Sequence, residues 1–372
     1  MDNEKLSIVA LNTVVDLIPK KIISLINYFG SASNVLSADI KELKSIEFIS
    51  DKVAKTIKDI SNLESANKEL LLAEQNNIKI LTYLDEDYPC QLKNIYDFPP
   101  VIYIKGKFDK DDKLSVSVVG SRRSTNYGVI VTEKFCKYFA QNSITTISGL
   151  ARGIDTQAHS STLKNLGRTV AILGNGLLEC YPAENRKLQD EIAEKGAVIS
   201  EFPLTRMALP VNFPRRNRIV AALSLATIVI EAAEKSGSLI TAELACEYGK
   251  DVFAVPGPIF SKYSQGPNSL IKQGAFVALK PEDIVEQVNL LSDFVKKKAK
   301  KRKKEIEKDL PLISQSSINI LKMIQSSTVG ISLDEISLKS NVNVSEVSTI
   351  LLDLELKGLI KAMPGQIYVR NT

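Results

Sequence analysis

At 372 residues, 44% hydrophobic and 24% charged, the chain is long and apolar enough to fill the cores of two or three domains, which excludes a protein disordered throughout. No apolar run approaches the roughly 20 residues of a membrane span, and the opening MDNEKLSIVA is acidic where a secretory leader is basic, so no membrane association and a cytoplasmic location are expected. The net charge of +5 is local, because every residue but Ala299 in KKKAKKRKK, Lys296 to Lys304, is basic and the rest of the chain is net acidic.

Residues 1–75 read as a small helical domain. Apolar residues recur at helical spacing in VVDLIPKKIISLINYFGSASNVL and again in IKELKSIEFISDKVAKTIKDI. Gly30 is the expected stop of one helix, since glycine takes the left-handed conformation without steric cost. Two helical hairpins of the helix-hairpin-helix or SAM-like class fit the stretch; such hairpins touch either DNA backbones or proteins.

Over 76–292 the period changes. After IKILTYL and PPVIYIKG come strands rich in β-branched residues, LSVSVVG, ITTISG, RTVAILG, AVISEF, ATIVIEA, DVFAVPG and AFVAL, separated by segments of helical period. Near-continuous apolar strands alternating with helices predict a doubly wound, mainly parallel sheet covered on both faces, an extended Rossmann-like α/β domain. Residues 293–309 hold the basic run and read as a solvated linker or a tail that gains affinity for phosphates by counterion release. Residues 310–372 carry three helical segments and the hairpin LIKAMPGQIYVR turning at Pro364-Gly365, which makes a winged helix. Its acidic residues equal its basic ones, so it shows no DNA footprint by charge, and protein contact is as good a reading.

Cys90, Cys136, Cys180 and Cys246 lie far apart, with no CxxC pair and one histidine, His159, so neither a zinc site nor a disulfide framework is expected, and no cofactor. In a doubly wound sheet ligands collect at the carboxyl ends of the strands, where loops enter helix N-termini and unpaired N–H groups point outward. Four of those ends carry the residue types that bind anions. VVGSRRSTNYG offers Gly120, Ser121 and Arg122; SGLARGID offers Gly149 and Arg152, with Asp155 as the helix cap; ILGNGLLE offers Asn175 and Gly176; EKSGSLITAE offers Gly237, Ser238 and Thr241. Glycine lets backbone approach an anion, hydroxyls cap the helix, and arginine matches phosphate with a planar fork. Each loop alone also reads as an ordinary capped turn.

NFPRRNRIVAAL adds Arg215, Arg216 and Arg218 at a helix start, where the backbone is already partly positive. Either an anion lies nearby or the arginines pair with Glu201 or Glu231; at least one such pair is expected. The P-loop pattern is missing, and GNGLLE breaks the dinucleotide fingerprint at its last position. His159 has no nucleophile arranged around it and reads as a packing residue, and Tyr127, Tyr181, Phe202 and Phe213 read equally as stacking surfaces or core.

Taken in order, YPCQLKNIYDFPPVIYIKG, VVGSRRSTNYG, SGLARGIDTQAHSSTL, GNGLLECYPAENRKL, SEFPL, NFPRRNRIVAALS, EAAEKSGSLITAELACEYGKDVFAVPG and GPNSLIKQGA resemble the DNA-processing protein A (DprA, or Smf) family. The resemblance implies a non-catalytic single-stranded DNA binder of natural transformation that protects incoming DNA, dimerises through its Rossmann-like domain and loads the recombinase RecA. It also implies that Arg122 is a principal phosphate contact and that the other loop residues line one groove with it. Family members often carry a basic residue after the proline of the YP turn; here Ala183 stands there, leaving Arg186 and Lys187 as substitutes. Two other readings are a nucleoside-monophosphate phosphoribohydrolase on a related fold, whose double-glycine signature is absent from SGSLITAE, and a protein-interaction scaffold.

Overall fold

The structure, a computed structural model, describes residues 2–60, 63–309, 315–327, 330–356 and 358–370. It divides into two compact units, Met1–Val295 and Lys296–Thr372.

The first unit is built on nine strands: β1 (Ile78–Thr82), β2 (Val101–Gly106), β3 (Ser115–Val119), β4 (Thr145–Ser148), β5 (Thr169–Leu173), β6 (Ala197–Ser200), β7 (Ala226–Val229), β8 (Asp251–Ala254) and β9 (Phe276–Val277). Their order in the sheet is β1-β2-β6-β5-β4-β3-β7-β8-β9. From β6 to β9 every neighbour is parallel, while β1 and β2 add an antiparallel edge. Strands β3 to β7 are buried along their whole length, as a sheet covered on both faces requires. The chain leaves β3 toward β4 on one side and reaches β7 on the other, so the topological switch lies between β3 and β7.

The N-terminal segment forms six helices, Asn3–Thr13, Pro19–Phe29, Ala32–Ser37, Ile40–Lys44, Asp51–Asp59 and Glu64–Gln75, rather than two plain hairpins. Gly30 ends the second helix at φ 84°. These helices share one core with the sheet: Ile8, Leu11, Leu25 and Ile57 belong to the same buried cluster as Tyr103, Leu150, Leu173 and Ile192. Two polar ties reinforce the seam, Asn12 Nδ2 donating to the Glu201 carbonyl at 3.1 Å and Glu69 accepting from the Leu204 N–H at 3.0 Å.

Residues Asn289–Asp309, which include the expected linker 293–309, form one helix, because lysine, arginine, glutamate and alanine are all good helix formers. The side chains of the basic run beyond residue 300 lie outside the described residues.

The second unit contains helices Gln315–Ser326, Leu333–Ser340 and Val344–Leu356, with β11 (Ile360–Met363) and β12 (Ile367–Arg370) as an antiparallel hairpin. A strand of two residues, β10 (Ile331–Ser332), pairs with β12 and was too short to register as alternation. Ile320, Ile336, Val347, Leu351 and Leu354 make its core, and the whole is a winged helix.

Candidate nucleic-acid interface

At the switch point the loops after β3, β4 and β7 enclose a cavity of about 420 Å³. Of the expected residues, Gly120, Ser121, Arg122, Gly149, Arg216, Gly237, Ser238 and Thr241 line it together, joined by Asp155, Phe213, Pro214, Asn217 and Ser236. Ser236, not Gly237, caps the helix Gly237–Glu247, its hydroxyl accepting from the Ser238 N–H at 3.4 Å. The positive end of that helix therefore faces the cavity.

Arg122 is exposed at the rim, its guanidinium 5.3 Å from the centre of the Phe213 ring, and it has no carboxylate partner among the described residues. Its loop is tied down from two sides. The Ser121 N–H donates to the Glu231 carbonyl at 2.6 Å, and the Ser121 carbonyl accepts from the Ile154 N–H at 3.1 Å. The buried Glu231 carboxylate takes the Thr125 N–H at 2.9 Å and the Thr125 hydroxyl at 2.5 Å, at the N-terminus of helix Asn126–Gln141. Glu231 thus supports the loop that presents Arg122 and, among the described residues, pairs with no arginine.

The glycines of SGLARGID serve the fold of the loops themselves. A Cβ on Gly149 would fall 2.4 Å from the Arg216 guanidinium, and one on Gly153, at φ 77°, would fall 2.2 Å from the Ser121 carbonyl oxygen. Gly153 occupies the cap position of helix Ile154–Lys164, and Asp155 accepts instead from the N–H groups of Gly149 at 3.1 Å and Ala151 at 3.4 Å. The expected capping role of Asp155 is therefore corrected: its side chain reaches back into a loop whose orphan N–H groups it satisfies.

The three arginines of NFPRRNR part company. Arg216 is 4% exposed, donates to the carbonyls of Gly149 and Ile172, and has its pKa pushed down to about 10 by burial, with Asp155 opposing and Arg122 adding like charge. Burial also raises Asp155, against the pull of Arg216. Arg215 and Arg218 turn away from the cavity to share Glu201 Oε2, at 2.9 and 2.5 Å, with Glu201 only 1% exposed. The expectation that all three line the groove is corrected for these two, because a buried carboxylate binds both.

Five further expected residues lie apart from the cavity. Asn175 and Gly176 build a tight turn: Asn175 Nδ2 donates to the carbonyls of Gly176 and Glu179, and a Cβ on Gly176 would meet the Leu204 carbonyl oxygen at 2.1 Å. Arg186 and Lys187 are exposed on the first turn of helix Arg186–Lys195. Arg152 is exposed and held by Glu184, Nε to Oε1 2.5 Å. His159 is buried, its Nδ1 2.7 Å from the Thr169 hydroxyl, and burial drives its pKa down to about 3, which makes it a neutral packing residue as expected. Phe202 is core, beneath Arg215 at 5.0 Å, and Tyr127 donates its hydroxyl to the Pro256 carbonyl at 2.9 Å.

The model of the DNA recombination-mediator protein A family matches residues 79–289, more than half of the chain and every loop of this rim. The chain belongs to this family. The DprA winged helix domain model matches residues 318–366. Protein Smf of Escherichia coli (strain K12) is 38% identical over 308 residues, 82% of this chain and 81% of that protein. The X-ray structure of DNA processing protein A from Streptococcus pneumoniae superposes with a TM-score of 0.67 at 34% identity, covering 77% of this chain and 99% of that one. A structure of DNA processing protein A from Helicobacter pylori, described for its single-stranded DNA binding mode, gives 0.52 at 31% identity, covering 58% of this chain and 96% of that one. Among the described residues no helix is long and apolar enough to cross a membrane.

Proposed function

We propose that the chain binds single-stranded DNA in the cytoplasm through the switch-point rim, as a non-catalytic recombination mediator that protects incoming strands and loads RecA during natural transformation, acting as a homodimer through its Rossmann-like domain. The observation that carries the DNA reading is Arg122: an exposed guanidinium with no carboxylate partner among the described residues, at the mouth of a cavity whose other walls offer the buried cation Arg216 and a serine-capped helix N-terminus. Such a seat takes one phosphate of a strand held by its backbone. The likeness to the Helicobacter pylori protein, described as binding single strands, supports the same ligand. The cavity lining includes one carboxylate, Asp155, and that group is committed to backbone N–H groups, which favours binding over acid–base catalysis.

Arg122→Ala is expected to weaken oligonucleotide binding by about 10- to 100-fold at low salt, alike for all base sequences, and to reduce the salt slope by about one phosphate contact. Titrations of labelled single strands at several salt concentrations measure both. An unchanged affinity would remove the rim from the binding surface, and release of free base from nucleoside monophosphates would assign the cavity to catalysis instead.

A further inference from the structure

The aromatic wall of the cavity continues beyond it. Tyr181, 40% exposed, lies with its ring centre 5.3 Å from that of Phe213 and tilted 45° to it. Arg152 is held against the same turn, its guanidinium bonded to Glu184, three residues after Tyr181. Arg122, Phe213 and Tyr181 therefore run as guanidinium, ring, ring, and the turn that carries Tyr181 also holds the Arg152 guanidinium through Glu184. A single strand carries a phosphate on either side of each base, and the 40% exposure of the Tyr181 ring beside Phe213 leaves a face for one unstacked base. The Arg152–Glu184 pair has both side chains more than half exposed, 57% and 53%, so it is held weakly. A backbone phosphodiester offers the same planar fork a pair of anionic oxygens of equal charge, and seating it also releases the counterions condensed on the strand.

We propose that Tyr181 and Arg152 form a second nucleotide subsite beside the cavity: a base stacks on the Tyr181 ring, a phosphate of the same strand takes Arg152, and Glu184 occupies that phosphate seat in the free protein. The inference rests on the single-strand reading above and adds a contact to bases that the phosphate seat does not supply.

The test uses the full chain with a thymidine oligonucleotide and an abasic oligonucleotide of the same length, each labelled for anisotropy. The parent binds the thymidine strand more tightly. Tyr181→Ala weakens that strand by about 5- to 100-fold while leaving the abasic strand unchanged, and Tyr181→Phe keeps the preference. Glu184→Gln tightens both strands by up to about 5-fold, and the gain shrinks as salt rises. Equal losses on the two strands with Tyr181→Ala would mark a distorted loop and overturn the stacking; so would a parent that binds the two strands alike, whatever the folding of the variants. Unchanged or weaker binding by Glu184→Gln would overturn the displaced carboxylate. A parent that binds neither strand is a separate result, removing the single-strand reading itself.

Discussion

His159 carries no exposed surface and spends its one polar contact, through Nδ1, on Thr169. Burial depresses its pKa to about 3 from the ordinary 6.5, so the folded protein keeps it neutral where an unfolded chain would protonate it. Its contribution to stability is complete above pH 6.5 and declines as the pH falls from there toward 3, by up to about 1.4 kcal/mol per pH unit. As the chain's one histidine, it accounts for the titration of this residue type entirely. Chemical denaturation of the parent between pH 7 and 5 is expected to show that decline, and His159→Gln to lack its share of it; parallel curves would mean that the ring titrates in the fold as it does in the unfolded chain. At this scale the sequence was legible where chemistry left one reading, as at His159. It was ambiguous where a residue could face either way, and Arg215 and Arg218 face Glu201 because that carboxylate is nearly sealed from water and needs both cations.

Loops 120–125 and 149–153 act as one element. The Ser121 carbonyl receives the Ile154 N–H, Gly153 presses its Cα face against the Ser121 carbonyl oxygen, and Asp155 ties down Gly149 and Ala151. Gly153→Ala would put a methyl group 2.2 Å from that oxygen at a φ of 77°, so the Arg122 loop must shift. A loss of about 2–4 kcal/mol in stability is expected, together with weaker single-strand binding at temperatures where the variant is still folded. Retention of full affinity would show that the two loops move independently. The glycine spacing announced a tight turn at the end of β4; that the tightness serves loop-on-loop packing became visible once the parallel β3–β4 pair set the two turns side by side.

Across the whole molecule, the division between Met1–Val295 and Lys296–Thr372 separates the rim from the winged helix. The winged helix carries balanced charge and its own core, which suits an adaptor for protein partners. A chain ending at residue 309 keeps the rim and the basic run, and is expected to melt cooperatively and to hold single strands within about 3-fold of the full-length affinity. A loss beyond about 10-fold in the same titration would place DNA contacts in the winged helix. The N-terminal helices, by contrast, share a core with the sheet, and their removal would expose Leu150, Leu173 and Ile192 to water.

Local pattern alone determined the elements: β-branched runs, helical spacing and turn residues are short-range properties, and they placed the parallel sheet, the winged helix and the loops at the carboxyl ends of the strands. Partnership among side chains was decided by the tertiary structure. Arg152 and Glu184 are 32 residues apart, and Arg218 and Glu201 are 17 apart. Which of the rim's arginines keeps its charge for a ligand depends on where the fold brings a carboxylate, and chain spacing carries no record of that.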